Sequence, residues 1–267
     1  IIHKKLNIYS PPDLRKWKEL VDNIRNPSRE ITVAVCGKYT KLEDSYASIV
    51  ESFHHCAAHL GCKINLEWVE TTDLKDTRFL DHVNGVIVPG GFGSRGIEGK
   101  IEVIRHARER NIPFLGLCLG LQLAVIEFAR NACHLERANS TEIDPETPHP
   151  VIDILPEQKE ISDKGGTMRL GAYPAFLKEG TLVRSLYGTE KASERHRHRY
   201  EVNPRYHEII QEHGMVFSGV SGDGRLVEFI ELPRLRYFVA TQAHPELKSR
   251  MEKPAPLFYG CVKACLS

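Results

Sequence analysis

The sequence lacks several features that would assign it to a specialised class of protein. No apolar run approaches the roughly 18 residues that span a bilayer, and the start lacks the charged-then-apolar pattern of a signal peptide. The formal net charge is only +1, which gives no global electrostatic reason to bind a nucleic acid or a membrane surface. Internal repeats and low-complexity tracts are also missing. These absences predict a globular protein with neither a membrane nor a nucleic acid as partner.

The seven cysteines form no Cys-x-x-Cys pair and no regular framework. Their odd number and irregular spacing favour free thiols and a reducing, cytoplasmic environment. His196 and His198 have the spacing of a metal pair, but no cysteine or carboxylate cluster completes a ligand set, so we expect no metal. The basic run 195–199 is too short, and too poor in interleaved aromatics, to indicate nucleic-acid binding.

What the sequence does contain is an ordinary globular composition, with 41% hydrophobic and 27% charged residues in 267. This length suits one large α/β domain or two small ones. The first residue is Ile1, not Met, so we expect the chain to be part of a longer polypeptide. Residues 1–28 are predicted to form a linker and one amphipathic helix, which Ser10, Pro11 and Pro12 begin and Asn26-Pro27 ends.

Strands and helices alternate from residue 29 onward. This alternation predicts a flavodoxin-like, doubly wound α/β domain over residues 29–267, with a mostly parallel central sheet, helices on both faces and functional groups at the carboxyl ends of the strands. The predicted strands are 31–36, 63–69, 83–88 and the run that ends at Cys118, and the predicted helices are 45–60, 98–110, 122–130 and 255–266. Shorter strands at 168–172, 215–220, 226–231 and 237–241 predict an antiparallel extension. The polar segment 136–166 is too long for a plain connector, which favours a functional or partly mobile region.

Cys118 lies where an apolar strand gives way to a helix-forming run. Gly116 and Gly120 flank it in a Gly-x-Cys-x-Gly pattern, the thiol counterpart of the Gly-x-Ser-x-Gly elbow. Such a turn pushes one side chain into the open and sets it at a helix N-terminus, where the dipole favours a thiolate. The pattern therefore predicts a nucleophile, although a buried structural cysteine is the commoner role of a free thiol.

A thiolate nucleophile needs a base that a third group holds in place. His244 and Glu246 follow the last predicted strand, and residues two apart in an extended segment point to the same side. Glu246 can therefore fix the imidazole tautomer while the other ring nitrogen faces a thiol. A His-Pro-Glu triplet also occurs in ordinary surface turns, so it predicts a catalytic base only in a chain that also has a cysteine elbow.

The glycine loop 89–93 follows a predicted strand and supplies a further part of the site. The N–H groups of Gly91 and Leu119 are candidates to hold a developing oxyanion. The alternative is a phosphate-cradling turn, but the loop lacks the Lys-Ser/Thr ending of a P-loop.

Together and in this order, segments 89–93, 116–122 and 244–246 resemble the triad-type class I glutamine amidotransferases. Within that class, further segments resemble the branch that supplies ammonia for the ATP-dependent amination of UTP to CTP. These segments are 90–96, 139–142, 165–171 and 195–203, and the likeness runs from about residue 29 to the end. His3-Lys4-Lys5-Leu6 and the first helix look like the connector from that branch's amidoligase domain.

The resemblance implies that Cys118 attacks glutamine, His244 shuttles protons and Glu246 orients His244. It also implies an oxyanion hole at Gly91 and Leu119. The implied contacts with L-glutamine are Gly91, Phe92, Leu119, Gly120, Leu121, Gln122, Glu142 and Arg199. The Arg/His alternation leaves open which arginine of 195–199 makes the last of these contacts.

The resemblance further implies that no cofactor binds this chain. ATP and Mg²⁺ belong to a covalently joined N-terminal amidoligase domain, and the full-length protein is expected to form a homotetramer. Because that domain is not in the sequence, the chain alone is not expected to make CTP.

Ala243 departs from the pattern, because the class usually has an aromatic residue before the histidine. Two alternatives stay open at this point. One is another Cys-His-Glu hydrolase of the same fold, such as a γ-glutamyl peptidase or a different amidotransferase. The other is a regulatory module that kept the fold without the activity.

Overall fold

The structure is a computed structural model that describes residues 2–7, 13–38, 43–74, 76–154 and 168–267. Its strands are β1 (Arg29–Gly37), β2 (Cys62–Glu70), β3 (Gly85–Val88), β4 (Phe114–Leu117), β5 (Asn139–Ser140), β6 (Pro150–Asp153), β7 (Arg169–Leu177), β8 (Lys191–His198), β9 (Glu201–Val202), β10 (Val216–Val220), β11 (Val227–Glu231) and β12 (Phe238–Thr241). Its α-helices are α1 (Ile2–Lys5), α2 (Arg15–Arg25), α3 (Ala47–Leu60), α4 (Ile97–Glu109), α5 (Leu119–Asn131), α6 (Leu182–Tyr187), α7 (His207–Glu212) and α8 (Pro256–Cys265).

The central sheet has the strand order β2-β1-β3-β4-β12-β11-β10-β7-β8. The first five strands of this order pair in parallel, and the remaining strands pair antiparallel. A smaller sheet, β5-β6-β9, contacts α5. This architecture confirms the predicted doubly wound fold with its antiparallel extension.

Helices cover both faces of the central sheet. Successive residues of β1 point to opposite faces, so Ala34 and Cys36 join the core beneath α4 and α5, whereas Val33 and Val35 join the core beneath α3 and α8. Burial on both faces explains why the inner parallel strands β3, β4 and β12 are short, mostly apolar runs, whereas the edge strand β2 carries charged residues. No helix of the described residues is long and apolar enough to cross a membrane.

The apolar strands and long helices were predicted within a few residues, because short apolar runs and helical periodicity are strong local signals. Helix α5 begins at Leu119, three residues before its predicted start and directly after Cys118. The predicted cap of the first helix, Ser10 to Pro12, lies outside the described residues. Helix α2 begins at Arg15 and ends at Arg25, and Asn26 is its C-cap, as the predicted stop at Asn26-Pro27 requires.

The sequence prediction missed the short helices α1, α6 and α7 and the strands β5, β6, β8 and β9. Helices of four to six residues and strands of two to four residues are too short to show a period. Strand β8 was missed for a different reason: its buried positions are mostly polar, with Glu194, His196 and His198 facing inward. In the polar segment 136–166, residues up to 154 include β5 and β6, and residues 155–166 lie outside the described part of the chain.

Candidate active site

Cys118 forms the corner between β4 and α5. Its backbone has φ 51° and ψ −101°, in a region that non-glycine residues rarely adopt. The flanking glycines permit close approach of the chain, because a Cβ on Gly120 would lie 2.2 Å from the carbonyl oxygen of Val88 and one on Gly116 would lie 2.8 Å from Ala240 Cβ. The strained turn therefore depends on both glycines.

The thiol of Cys118 is not pushed into the open, which corrects the sequence prediction. Only 4% of the residue is exposed, because the segment after β12 and the end of β8 close over the elbow. Two cavities lined by described residues nevertheless reach it. The first cavity is lined by Gly91, Phe92, Cys118, Leu119, Gln122, Glu142, Met168, His198, Arg199 and Tyr200. The second cavity is lined by Ser45, Tyr46, Ser48, Ile49, Pro89, Gly90, Gly91, Phe92, Cys118, Arg197, His244, Glu246 and Leu247.

His244 and Glu246 follow β12, the strand next to β4. Glu246 Oε1 lies 2.7 Å from His244 Nδ1. The sequence analysis predicted an extended segment here, and this was wrong, because Pro245 begins a 3₁₀ turn over Pro245–Lys248. The Glu246 carboxylate nevertheless reaches the imidazole ring of His244. Burial of the imidazole disfavours its cation, but hydrogen bonds to Cys118 and Glu246 outweigh burial and raise the His244 pKa to about 10.

Glu246→Gln is expected to give a rate of glutamine hydrolysis between wild type and a variant without the imidazole. The amide still bonds the ring but cannot stabilise its charged form, so the His244 pKa should fall. NMR titration of the imidazole and the rate as a function of pH measure this, with the exposed Glu51→Gln as control. A Glu246→Gln variant that matched wild type at every pH would reduce the triad to a pair.

The two predicted oxyanion donors, Gly91 and Leu119, line the first cavity together with Cys118. Leu119 is the first residue of α5, where N–H groups have no intrahelical partner. A Cβ on Gly91 would lie 3.6 Å from Leu119 Cδ2, so the glycine loop packs on the start of this helix. Lys38 stabilises the glycine loop by donating a hydrogen bond to the carbonyl of Phe92. A Cβ on Gly91 would lie 3.9 Å from Lys100 Nζ, and burial lowers the pKa of this ammonium to about 8.

Charged groups of opposite sign line the first cavity. Burial raises the pKa of Glu142, although a hydrogen bond from the Gly93 N–H and the nearby Arg199 oppose this effect. Alternation along β8 turns Arg195 and Arg197 away from the core; Arg199, which follows the strand, lines the first cavity, and Arg197 lines the second. A carboxylate and a guanidinium in one cavity suit the ammonium and carboxylate of an amino acid.

Some of the other predicted substrate contacts line a cavity at the elbow, and others do not. Phe92 and Gln122 line the first cavity. Gly120 and Leu121 line neither cavity, and Leu121 is fully buried in the core, so their contact with substrate remains a prediction. Ala243, the departure from the family pattern, is also buried and lines neither cavity.

Sequence reasoning missed Met168, His198 and Tyr200 as lining residues. The alternation of Arg and His over 195–199 was the available signal, since a strand with this pattern places every second side chain inside. His196 Nδ1 and His198 Nε2 lie 2.9 Å apart and bond each other. No group of three or more His, Cys, Asp or Glu among the described residues could hold a metal ion.

Cys118 is expected to be the only strongly reactive thiol of the seven. Burial raises the pKa of the Cys36, Cys56 and Cys62 thiols, and that of Cys133 to about 11, which suppresses their thiolates. Brief treatment of the folded chain with iodoacetamide, followed by peptide mapping, measures this. Modification spread evenly over Cys36, Cys56 and Cys118 would contradict the prediction.

Comparison with known proteins places this geometry in a family. The glutamine amidotransferase class-I family matches residues 41–264. The CTP synthases of Methanococcus maripaludis and Methanocaldococcus jannaschii are 55% and 56% identical to the chain over its whole length, and the match covers 52% and 51% of their own sequences. The chain therefore spans about half the length of these curated relatives.

A solved structure gives the same result. The glutaminase domain of Trypanosoma brucei CTPS, with bound acivicin, superimposes with a TM-score of 0.83 at 35% identity, over 88% of this chain and 94% of that one. The alternative of another Cys-His-Glu hydrolase of the same fold, such as a γ-glutamyl peptidase or a different amidotransferase, is not favoured by these relationships. The chain belongs to the class-I glutamine amidotransferases, among the glutaminase domains of CTP synthases.

Proposed function

We propose that this chain hydrolyses L-glutamine to glutamate and ammonia through a thioester on Cys118. The observation that carries the proposal is the cavity in which Cys118 meets Glu142 and Arg199, with the His244–Glu246 pair beside the same thiol. In this proposal Glu142 binds the ammonium and Arg199 the carboxylate of the amino acid. The side-chain amide then extends toward the sulfur.

The proposed reaction begins when the Cys118 thiolate attacks the amide carbon and a C–S bond forms. The amide oxygen becomes an anion, which the N–H groups of Gly91 and Leu119 stabilise. The His244 imidazolium gives its proton to the amide nitrogen, the C–N bond breaks and ammonia leaves. Neutral His244 then takes a proton from a water molecule, which attacks the thioester. The C–S bond breaks, glutamate leaves, and the thiolate and imidazolium are restored.

We extend the proposal to the full-length protein. There, a covalently joined N-terminal amidoligase domain would use the ammonia, with ATP and Mg²⁺, to convert UTP to CTP. Residues 1–28 would connect that domain to the glutaminase domain of residues 29–267. The names and double length of the relatives support this extension. A homotetramer and a cytoplasmic location are part of the same proposal, and sizing of the full-length protein tests the former.

The isolated chain is expected to hydrolyse glutamine slowly and without response to UTP or ATP, and joining it to its amidoligase domain should raise the rate. Coupling requires contacts between two domains, for which segments 91–96 and 195–200 are candidates. Glutamate release by the chain and by the full-length protein, with and without nucleotides, measures this. If the isolated chain were as fast as the stimulated full-length enzyme, the proposed coupling between the two domains would be wrong.

If the chain hydrolysed γ-glutamyl peptides faster than glutamine, glutamine would be rejected as its substrate.

A further inference from the structure

We propose that Gln242 is a further catalytic residue, which stabilises the thiolate of Cys118 by donating an amide N–H to the sulfur. Gln242 directly follows β12, two residues before His244, and is completely buried. Its Nε2 lies 3.8 Å from Cys118 Sγ, within range of a hydrogen bond to sulfur. The inference deepens the proposed glutaminase function and rests on it.

A chain of hydrogen bonds determines which end of the Gln242 amide faces the sulfur. The backbone carbonyl of Tyr200 can only accept, so Gln122, 3.0 Å away, must present its NH₂ group to it. The same nitrogen lies 3.3 Å from Gln242 Oε1, which accepts its second hydrogen. The oxygen of Gln242 is thereby occupied, and its NH₂ group faces Cys118.

His198 is a second donor to the Tyr200 carbonyl, on which the orientation of the Gln242 amide depends. His198 Nδ1 lies 3.2 Å from the Tyr200 oxygen, and His198 Nε2 is 2.9 Å from His196 Nδ1. Burial and the neighbouring Arg169 lower the pKa of both imidazoles, so they are neutral near pH 7. A neutral His198 that donates through Nδ1 must accept through Nε2, and this sets the tautomer of each ring.

Thiol and thiolate have different partners in this arrangement. The thiol can donate to the carbonyl of Arg197, whose oxygen lies 3.9 Å from the sulfur, but the thiolate cannot. The Gln242 amide hydrogen favours the thiolate, because hydrogen bonds to charged groups are the stronger ones. The sulfur carries this charge before attack on glutamine and regains it when the thioester breaks. Gln242 therefore assists both halves of the proposed reaction.

The test must distinguish the effect of Gln242 on the Cys118 thiolate from the effects of the ionisable groups around the sulfur. Those that line the two cavities with Cys118 are Tyr46, Glu142, Arg197, His198, Arg199, Tyr200, His244 and Glu246. Gln242 itself does not ionise, so its replacement by methionine, which has a similar shape, removes the donor and adds no charge.

The experiment measures alkylation of Cys118 by iodoacetamide as a function of pH, read by mass spectrometry on the folded chain. In Gln242→Met, the midpoint of the profile should rise by about one pH unit, which is about tenfold less thiolate below the midpoint. Gln211→Met, on an exposed helix position, is the matched control and should not move it. An unmoved midpoint in Gln242→Met, even with reduced turnover, would overturn the proposal.

Two further variants keep the test decisive if Gln242→Met does not fold. Gln242→Glu keeps the shape but places a carboxylate beside the sulfur, so its midpoint should rise further. Gln122→Met frees the Gln242 amide to turn, so its midpoint should rise less. A fall or no change in both would overturn the proposal. Alkylation requires no glutamine, so failure of the chain to release glutamate would reject the proposed function without deciding the role of Gln242.

Discussion

Cys118→Ser is expected to lower the rate of glutamate release from glutamine by more than about 10³-fold, since loss of a triad nucleophile costs up to about 10⁶ in rate. The physical reason is that a hydroxyl at the elbow remains protonated where a thiol can ionise. The small change in volume should leave the fold intact. Glutamate release and circular dichroism measure the two effects.

Cys133→Ser is the matched control for this substitution. Cys133 is 5% exposed against 4% for Cys118, and each sulfur lies 3.9 Å from a backbone carbonyl, that of Ile209 and that of Arg197 respectively. Cys133 lines neither cavity at the elbow, so its serine variant should keep the wild-type rate. More than about a tenth of the wild-type rate in Cys118→Ser would reject Cys118 as nucleophile.

His244→Asn is expected to lower the same rate by about 10² to 10⁴-fold, the usual contribution of a general acid and base. Without the imidazole, the amide nitrogen loses its proton donor and the attacking water loses its base. His54→Asn is the control, because His54 also pairs with a carboxylate, that of Glu51 at 3.3 Å, but on an exposed helix face. Comparable rates in the two variants would reject His244 as the acid and base of the reaction.

The effect of His244 on stability has a defined sign. Its pKa is raised from 6.5 to about 10 in the folded chain, so the stabilisation is complete below about pH 6.5 and is lost as the pH rises toward 10. His244→Asn lacks this contribution. The difference in the free energy of unfolding between wild type and variant should therefore shrink from pH 6 to pH 10, and urea denaturation at several pH values measures it. A constant difference would contradict the raised pKa.

The site is assembled by three neighbouring parallel strands. The glycine loop follows β3, Cys118 follows β4, and His244 and Glu246 follow β12, and these strands are adjacent in the sheet. The carboxyl ends of parallel strands meet at one edge, so residues more than 120 positions apart become neighbours. Strand β8 also holds the site in place, because the backbone carbonyl of Arg195 accepts a hydrogen bond from the N–H of His244 at 2.8 Å.

The sequence by itself determined the doubly wound fold, the cysteine elbow and the candidate triad. These rest on local signals: apolar runs, helical periodicity, and glycines at positions where a Cβ would collide with a neighbouring strand. The resemblance of the motifs was also sufficient to identify the family, which the comparisons confirm.

Only the tertiary structure decided how the site is completed. It selected Arg199 over Arg195 and Arg197 for the first cavity, because the pleat of β8 and the turn after it set the direction of each side chain. It buried Cys118, and it brought the amide of Gln242 to the sulfur. Strand β8 gave no apolar signal because its inward side chains are polar and have partners: His196 bonds His198, Tyr187 donates to Glu194, and Lys248 forms an ion pair with Glu194. Such satisfaction depends on partners distant in the chain, which a local pattern does not contain.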